Sequence, residues 1–448
     1  VSTILAVCPS HRDARELAPL AERKGFTLLF HDYASLSLEE LVVEQPAVDA
    51  GIDDPESEIA RILARYADRG IAGVVSTDDY PGSTLASIVA QALGLPGVTP
   101  AVNLLCQHKY HSRLAQRQWA PGAVPEFRFL DDAAAGLHFP VFVKPVKSFF
   151  SVGAFPAASP AELKTILPRC TLPDAFFKPF RMLFERHTGL PFGDSCLIAE
   201  SLLKGTQVTL EGYIYRGELQ VLGVVDSIMY PGTLAFQRFE YPSSLPAAVQ
   251  QHMAEVARQV MLGIGYDNGM FNIEFMHDAV TGAIHIIEIN PRMASQFADL
   301  FEKVDGTNSY SILFDLATGR RPQPLHRMGR HRMAASCVLR RFEDAQVLRV
   351  PTSDEVERLR RLFPDLRVEI LATQGKALSQ EMQDGRSYRY GVINIGGHDR
   401  NEVLASFAHF QRHLRFEFGP APRRKCRRIR NAALPPTGVD SAIRSGHP

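Results

Sequence analysis

Over the first hundred residues, short apolar runs alternate with segments of helical spacing. Residues 3–8 read as a buried strand, and residues 13–24 as a helix with Leu17, Leu20 and Ala21 on one side, closed by Gly25. A second strand at 27–30, a helix at 57–69, a third strand at 73–76 and a helix at 83–93 continue the alternation. Strands separated by helices in this way predict an α/β unit with a parallel sheet. Thr77-Asp78-Asp79 then falls at the carboxyl end of a strand, where open α/β sheets place ligands; the same tripeptide would also serve as a helix N-cap. The punctuation Gly94-Leu95-Pro96-Gly97 closes this first domain, over residues 1–100.

Beyond it the pattern changes. Residues 103–116 predict a helix carrying Lys109, His111 and Arg113, residues 141–145 a strand ending on Lys144-Pro145, and residues 197–203 another apolar strand. Residues 208–215 and 219–227 read as antiparallel partners joined at Arg216-Gly217, and a long helix over 246–262 leads into a hairpin. Helices interleaved with antiparallel strands predict an α+β core over 101–322, with subdomains gripping something between them. A final, smaller α+β domain over 323–418 has strands near 333–339, 368–373 and 390–395 and helices at 354–363 and 400–414. The remaining residues, 419–448, form a basic, Pro-rich tail expected to be disordered.

The hairpin carries the chemistry. Phe271-Asn272-Ile273-Glu274-Phe275 and Ile284-His285-Ile286-Ile287-Glu288-Ile289-Asn290 alternate with period two, and turn residues 278–282 separate them. If Phe271, Ile273 and Phe275 share an apolar face with Ile287 and Ile289, then Asn272, Glu274, Glu288 and Asn290 share the other. That register makes Glu274 and Glu288 diagonal neighbours, which would repel unless a cation sat between them. Two carboxylates and an amide oxygen suit Mg²⁺, with Mn²⁺ as an alternative, completed by waters and nucleotide phosphates. Pro291 ends the strand and leaves Arg292 beside the metal, able to bind an anion bidentately. The bland reading, two solvent-facing strand glutamates, suits either residue alone better than the combination.

Hairpin and Glu-Ile-Asn-Pro-Arg together resemble the metal-binding end of the ATP-grasp superfamily, whose members join a carboxylate to a nucleophile through an acyl phosphate. The resemblance implies that Glu274, Glu288 and Asn290 hold Mg²⁺ between ATP phosphates. It further implies that Arg292 contacts the transferred phosphoryl group or a substrate carboxylate. Two further stretches extend it, so that it covers roughly residues 109–319. Phe139-Pro140-Val141-Phe142-Val143-Lys144-Pro145 is similar to the strand whose lysine binds the α/β phosphates, and Lys109 falls where the family has an earlier lysine. Residues 198–212 resemble the hinge strand that meets adenine, which implies that Glu200 and the backbone of Leu202 and Leu203 face the base. An extended backbone offers a carbonyl and an N–H at the spacing the adenine edge needs. By the same resemblance Gln207 takes a ribose-binding position usually held by Glu, and Glu211 takes an acidic position near metal or substrate.

The loop after Lys144 departs from the glycine- and serine-rich phosphate cover common in the family. Here it reads Lys147-Ser148-Phe149-Phe150-Ser151-Val152-Gly153, in which Lys147, Ser148 and Ser151 remain candidate phosphate ligands. After Arg292, where relatives often have glycines, this chain has Met293-Ala294-Ser295-Gln296.

Composition narrows the alternatives. The chain has 448 residues, 49 basic and 49 acidic, so no global charge argues for nucleic acid. Only the cluster 423–430 is strongly basic, with no aromatic residues interleaved. Six cysteines without a Cys-x-x-Cys pair fit a reducing, cytoplasmic setting. The apolar run at the first residues lacks a basic leader and is shorter than a signal peptide needs, and no run approaches membrane-span length. No Gly-x-Ser-x-Gly elbow supports hydrolase chemistry, and His108 and His111 read as structural. The expectation is an ADP-forming carboxylate–amine ligase with small-molecule acid and amine substrates, laid out like bacterial L-amino acid ligases. A homodimer is compatible with it. The alternatives are bicarbonate activation in the manner of biotin carboxylase, and a non-catalytic ATP-binding regulator.

Overall fold

The computed structural model describes residues 2–32, 54–130, 136–148, 151–193, 195–381, 383–384 and 387–421. Phe149-Phe150 and the basic cluster 423–430 lie outside the described residues.

The N-terminal unit is built from β1 (Thr3–Val7), α1 (His11–Lys24), β2 (Thr27–His31), α2 (Pro55–Tyr66), β3 (Ile71–Val75) and α3 (Thr84–Ala92). The strands form a parallel sheet in the order β2-β1-β3, as the alternation of runs predicted. Every side chain of β1 is buried, which is why it reads as an unbroken apolar run. Ser10 caps α1 in a capping box with Asp13, and Gly25 ends it in the left-handed conformation. Asp78 does act as a cap: it accepts from the Gly82 N–H, 2.7 Å away, in the tight turn before α3.

The single helix expected over 103–116 is two helices. α4 (Pro100–Gln107) and α5 (Lys109–Trp119) meet at His108, whose backbone is extended at φ −86° and ψ 99°. The His108 ring is buried against Phe180, Phe184 and Phe192, and this packing outweighs the helical propensity of the flanking residues. The break matters for the site, because it makes Lys109 the first residue of a new helix, with its N–H donated to the Val146 carbonyl.

Next comes a four-stranded antiparallel sheet in the order β4-β7-β5-β6, made of β4 (Phe127–Phe129), β5 (Val141–Pro145), β6 (Phe155–Ala157) and β7 (Leu197–Ser201). Between β6 and β7 run α6 (Pro160–Cys170) and α7 (Asp174–Thr188). β7 ends at Ser201, two residues short of the expected end, and the Leu202 N–H bonds the Pro140 carbonyl.

The remaining strands form one large antiparallel sheet. β8 (Thr206–Tyr215) and β9 (Glu218–Met229) turn at Arg216-Gly217, both at positive φ, as a tight hairpin requires. β10 (Phe236–Tyr241), α8 (Ala247–Gly263), β11 (Gly269–His277), β12 (Ile284–Asn290), α9 (Ala298–Asp305) and α10 (Ser309–Ala317) follow. The C-terminal part adds β13 (Met333–Arg341), β14 (Ala345–Arg349), α11 (Ser353–Leu362), β15 (Arg367–Ile370), β16 (Gln383–Asp384), β17 (Ser387–Gly397), α12 (Arg400–His413) and β18 (Glu417–Pro420). Most of its strands join the large sheet. The order β12-β11-β8-β9-β10-β13-β17-β15, with β16 on β17, makes a nine-stranded sheet running from the hairpin into the last 120 residues or so, while β14 and β18 pair alone. One face of it packs Phe271, Ile273, Phe275, Leu210 and Ile289 on Met253, Val256 and Val260 of α8. The opposite face carries the polar residues of the site.

Candidate active site

The hairpin register differs from the expected one by a β-bulge. Glu274 pairs directly with Glu288 and Asn272 with Asn290, whereas Phe275 pairs with Ile286. Ile287 is therefore the extra residue and leaves the apolar face, where Ile284, Ile286 and Ile289 pack instead. Directly opposed side chains stand closer than diagonal ones, about 4.5–5.5 Å between Cβ atoms, so the two carboxylates repel more strongly than the diagonal arrangement implied. The bulge also turns the Ile287 carbonyl outward, where it accepts from Arg113 at 2.7 Å and Lys144 at 3.5 Å. Sequence periodicity carries no sign of an inserted residue inside an Ile-His-Ile-Ile run, because either isoleucine fits the apolar face.

Two cross-strand rows result. Thr209, Glu274 and Glu288 form one, and Glu211, Asn272 and Asn290 the other, across β8, β11 and β12. Asn290 donates its amide nitrogen to the Asn272 oxygen at 2.9 Å, and Asn272 donates to the Arg292 carbonyl at 3.1 Å. The Asn290 nitrogen is committed to this bond, so only its oxygen could serve as a ligand. Burial, and then Glu288, raise the Glu274 pKa, while Lys109 and Lys144 outweigh desolvation at Glu288 and lower its pKa. Two directly facing carboxylates push their pKa values apart in this way. Among the described residues no group of three or more His, Cys, Asp or Glu is placed to hold a metal. Two carboxylates and an amide oxygen thus make an open half-site, which fits Mg²⁺ shared with phosphates rather than a closed protein cage.

The cations face this half-site. Lys109 lies 3.4 Å from Glu288, and its ammonium also reaches the Ser148 carbonyl at 3.5 Å. Lys144 is almost fully buried and bonds Glu200 at 2.9 Å. Burial lowers the Lys144 pKa, with Glu200 working against it. Arg113, only 2% exposed, grips the same Glu200 through two nitrogens at 2.7 and 3.2 Å. Burial disfavours the Glu200 carboxylate, but Arg113 and Lys144 prevail and hold its pKa at about 2. The Glu200 side chain is therefore committed to fixing Lys144, and the Leu202 N–H to Pro140, so an adenine edge would be read by other backbone groups of residues 200–203. Gln207, expected at the ribose, donates its amide nitrogen to Glu274 at 2.8 Å. Lys147 bonds Asp79 and Gln107 while remaining within the field of Glu288 and Lys109.

Glu211 is wholly buried. One oxygen accepts the Ala294 N–H at 2.9 Å, while the other has no partner among the described residues. Burial pushes its pKa up to about 8 against the pull of that N–H and Arg292, so the group is largely protonated at neutral pH. Because its folded pKa lies above the unfolded value of about 4.3, it favours the folded state most at low pH, and that contribution falls as pH rises towards 8. Glu211→Gln should flatten the fall of melting temperature between about pH 5 and pH 8, measured by thermal denaturation.

Arg113 was legible only as a helical cation four residues after Lys109. Its replacement tests the buried pairing. Arg113→Leu leaves Glu200 with Lys144 alone and should cost about 3–5 kcal/mol of stability, read from urea unfolding.

A fold of this kind defines a class. Residues 137–299 match the ATP-grasp domain model, and the chain has the ATP-grasp fold. The L-amino acid ligase of Bacillus licheniformis superposes with a TM-score of 0.71 at 16% identity, covering 94% of this chain and 99% of that one. The biotin carboxylase domain of Hydrogenobacter thermophilus 2-oxoglutarate carboxylase, solved with MgADP and bicarbonate, gives 0.63 at 14% identity over 93% and 90% of the two chains. In sequence, the carbamoyl phosphate synthase large chain of Thermus thermophilus is 27% identical over 286 residues, 60% of this chain and 25% of the relative. The chain thus spans about a quarter of the length of the curated relatives it matches. No helix among the described residues is long and apolar enough to cross a membrane.

Proposed function

We propose that the protein is an ATP-dependent, ADP-forming ligase that activates a small carboxylate, of the size of an amino acid, as an acyl phosphate and delivers it to an amine. The observation that carries this reading is the convergence of Glu274, Glu288 and Asn290 with Lys109 and Lys144 on one face of the β11–β12 hairpin. Structural likeness to an L-amino acid ligase over nearly the whole of both chains supports the substrate class.

Lys144, fixed by Glu200 and the Ile287 carbonyl, and Lys109, fixed at the start of α5, hold the phosphates of ATP. Glu274, Glu288 and the Asn290 oxygen would hold Mg²⁺, which would supply charge neutralisation for phosphoryl transfer. Arg292 lies within the field of Glu211, Glu274, Asp78 and Asp79, at the junction of the metal face and the carboxyl end of β3. There it holds the acid substrate and the charge that develops as the carboxylate oxygen attacks the γ-phosphoryl group in line, expelling ADP. Attack of the amine on the acyl carbon then expels phosphate, its proton passing to solvent or to that phosphate. No protein nucleophile is needed.

The experiment is a phosphate-release screen over amino-acid pairs with Mg²⁺ and ATP, followed by mass spectrometry of the positives. Amide product with stoichiometric ADP supports the reading. Release of AMP and pyrophosphate, or tight ATP binding with no turnover across the panel, overturns it.

A further inference from the structure

Lys147 follows β5, and its side chain, only 3% exposed, reaches the N-terminal unit while staying within the field of Glu288 and Lys109. It bonds Asp79 Oδ2 at 2.7 Å and Gln107 Oε1 at 2.9 Å, and it lies over the rings of Tyr80 and Phe180 at 5.7 and 5.9 Å. Gln107 in turn donates to Ser83, Thr84 and Asn103 at 3.1, 2.9 and 2.6 Å. Ser83 closes the circuit by bonding the Asp79 carbonyl. Burial lowers the Lys147 pKa, and Asp79 works against that.

The connections run between two sites. On one side, Val146 accepts the Lys109 N–H and Ser148 accepts the Lys109 ammonium, so the 144–148 segment carries the nucleotide lysines. On the other, Thr77, Asp78 and Asp79 form the ligand-side end of β3, near Arg292. We propose that Lys147 is a positioning residue which, through Asp79 and Gln107, ties the 144–148 segment to the loop 77–79 beside Arg292, so that nucleotide occupancy orders that loop. This rests on the nucleotide reading given under Proposed function. The loop lysine is then a coupler between sites and not a phosphate ligand.

Hydrogen–deuterium exchange and MgADP calorimetry on the full chain test it, with Lys147→Met and Asp79→Asn as independent variants. Without nucleotide, each variant should speed exchange of amides in 77–84 by about tenfold or more while leaving strands 206–229 at the wild-type rate. With saturating MgADP, wild type should slow exchange in both 144–148 and 77–84. The variants should slow it in 144–148 only, with a Kd within about threefold of wild type. A purely structural contact would loosen 77–84 without removing the response to MgADP. A Kd raised tenfold or more in Lys147→Met but not in Asp79→Asn would make Lys147 a phosphate ligand and overturn the proposal, as would wild-type exchange in 77–84 of both variants. If wild type binds no MgADP, the nucleotide reading fails on its own account and the proposed coupling with it. In that event exchange without nucleotide still reports whether the tie exists.

Discussion

Glu288→Gln should abolish ADP formation and make the nucleotide-free protein less stable. Both effects come from the loss of one ionised carboxylate. Glu288 faces Glu274 directly across β11 and β12, and the repulsion between them is part of what raises the Glu274 pKa. Lys109 and Lys144 nevertheless hold the Glu288 pKa down, so its ionised form favours the fold, and neutralising it should lower the melting temperature without Mg²⁺ at neutral pH. On the proposed reading the same change removes half of the charged ligand set for Mg²⁺. Losing about 4 kcal/mol of transition-state stabilisation lowers kcat about a thousandfold. Glu274→Gln should behave alike in turnover but raise the melting temperature at neutral pH, because burial and Glu288 push the Glu274 pKa up to about 8 and its ionisation opposes folding. The checks are ADP release with any acid and amine pair that turns over, and thermal unfolding with and without MgATP. Turnover within tenfold of wild type in Glu288→Gln would remove this residue from the metal site.

Much of this arrangement can be read from residue order, and the parts that cannot have physical reasons. The alternation of buried strands and helices over the first hundred residues predicts the parallel sheet, since both faces of β1 are covered. The polar face of the hairpin follows from period-two patterning, which places Asn272, Glu274, Glu288 and Asn290 together in any register that buries Phe271, Ile273 and Phe275. The bulge at Ile287 does not follow, because an extra isoleucine leaves the apolar pattern intact on either side. Nor does the break at His108, which depends on a cage of Phe180, Phe184 and Phe192 from more than seventy residues away. Gln207 and Glu200 illustrate the same limit. Their positions on β8 and β7 were legible, but their partners, Glu274, Lys144 and Arg113, come from other strands and a helix. Continuity of the large sheet into β13, β17 and β15 is likewise a matter of edge pairing that local propensity leaves open.

Lys144→Met should separate nucleotide binding from stability, and Arg113→Leu should do the reverse. Both residues bond Glu200, but they stand in different relation to it. Arg113 donates two bonds to the carboxylate and one to the Ile287 carbonyl, and so satisfies most of the buried acceptors by itself. Removing Lys144 therefore leaves Glu200 paired, and a methionine side chain of similar length fills the space while relieving the desolvation that lowers the lysine pKa. Stability should fall by no more than about 1 kcal/mol. The ammonium that would meet the phosphates is gone, and a charge-assisted bond of about 1.5–3 kcal/mol goes with it, so the Kd for MgADP should rise between about tenfold and a hundredfold. In Arg113→Leu the ammonium remains, and nucleotide affinity measured well below the unfolding transition should change less than the folding free energy does. Calorimetric titration with MgADP and urea unfolding of both variants give the two ratios. Equal losses of affinity in the two variants would mean that Lys144 acts on the nucleotide only through Glu200, as a fixture of the sheet and not as a ligand.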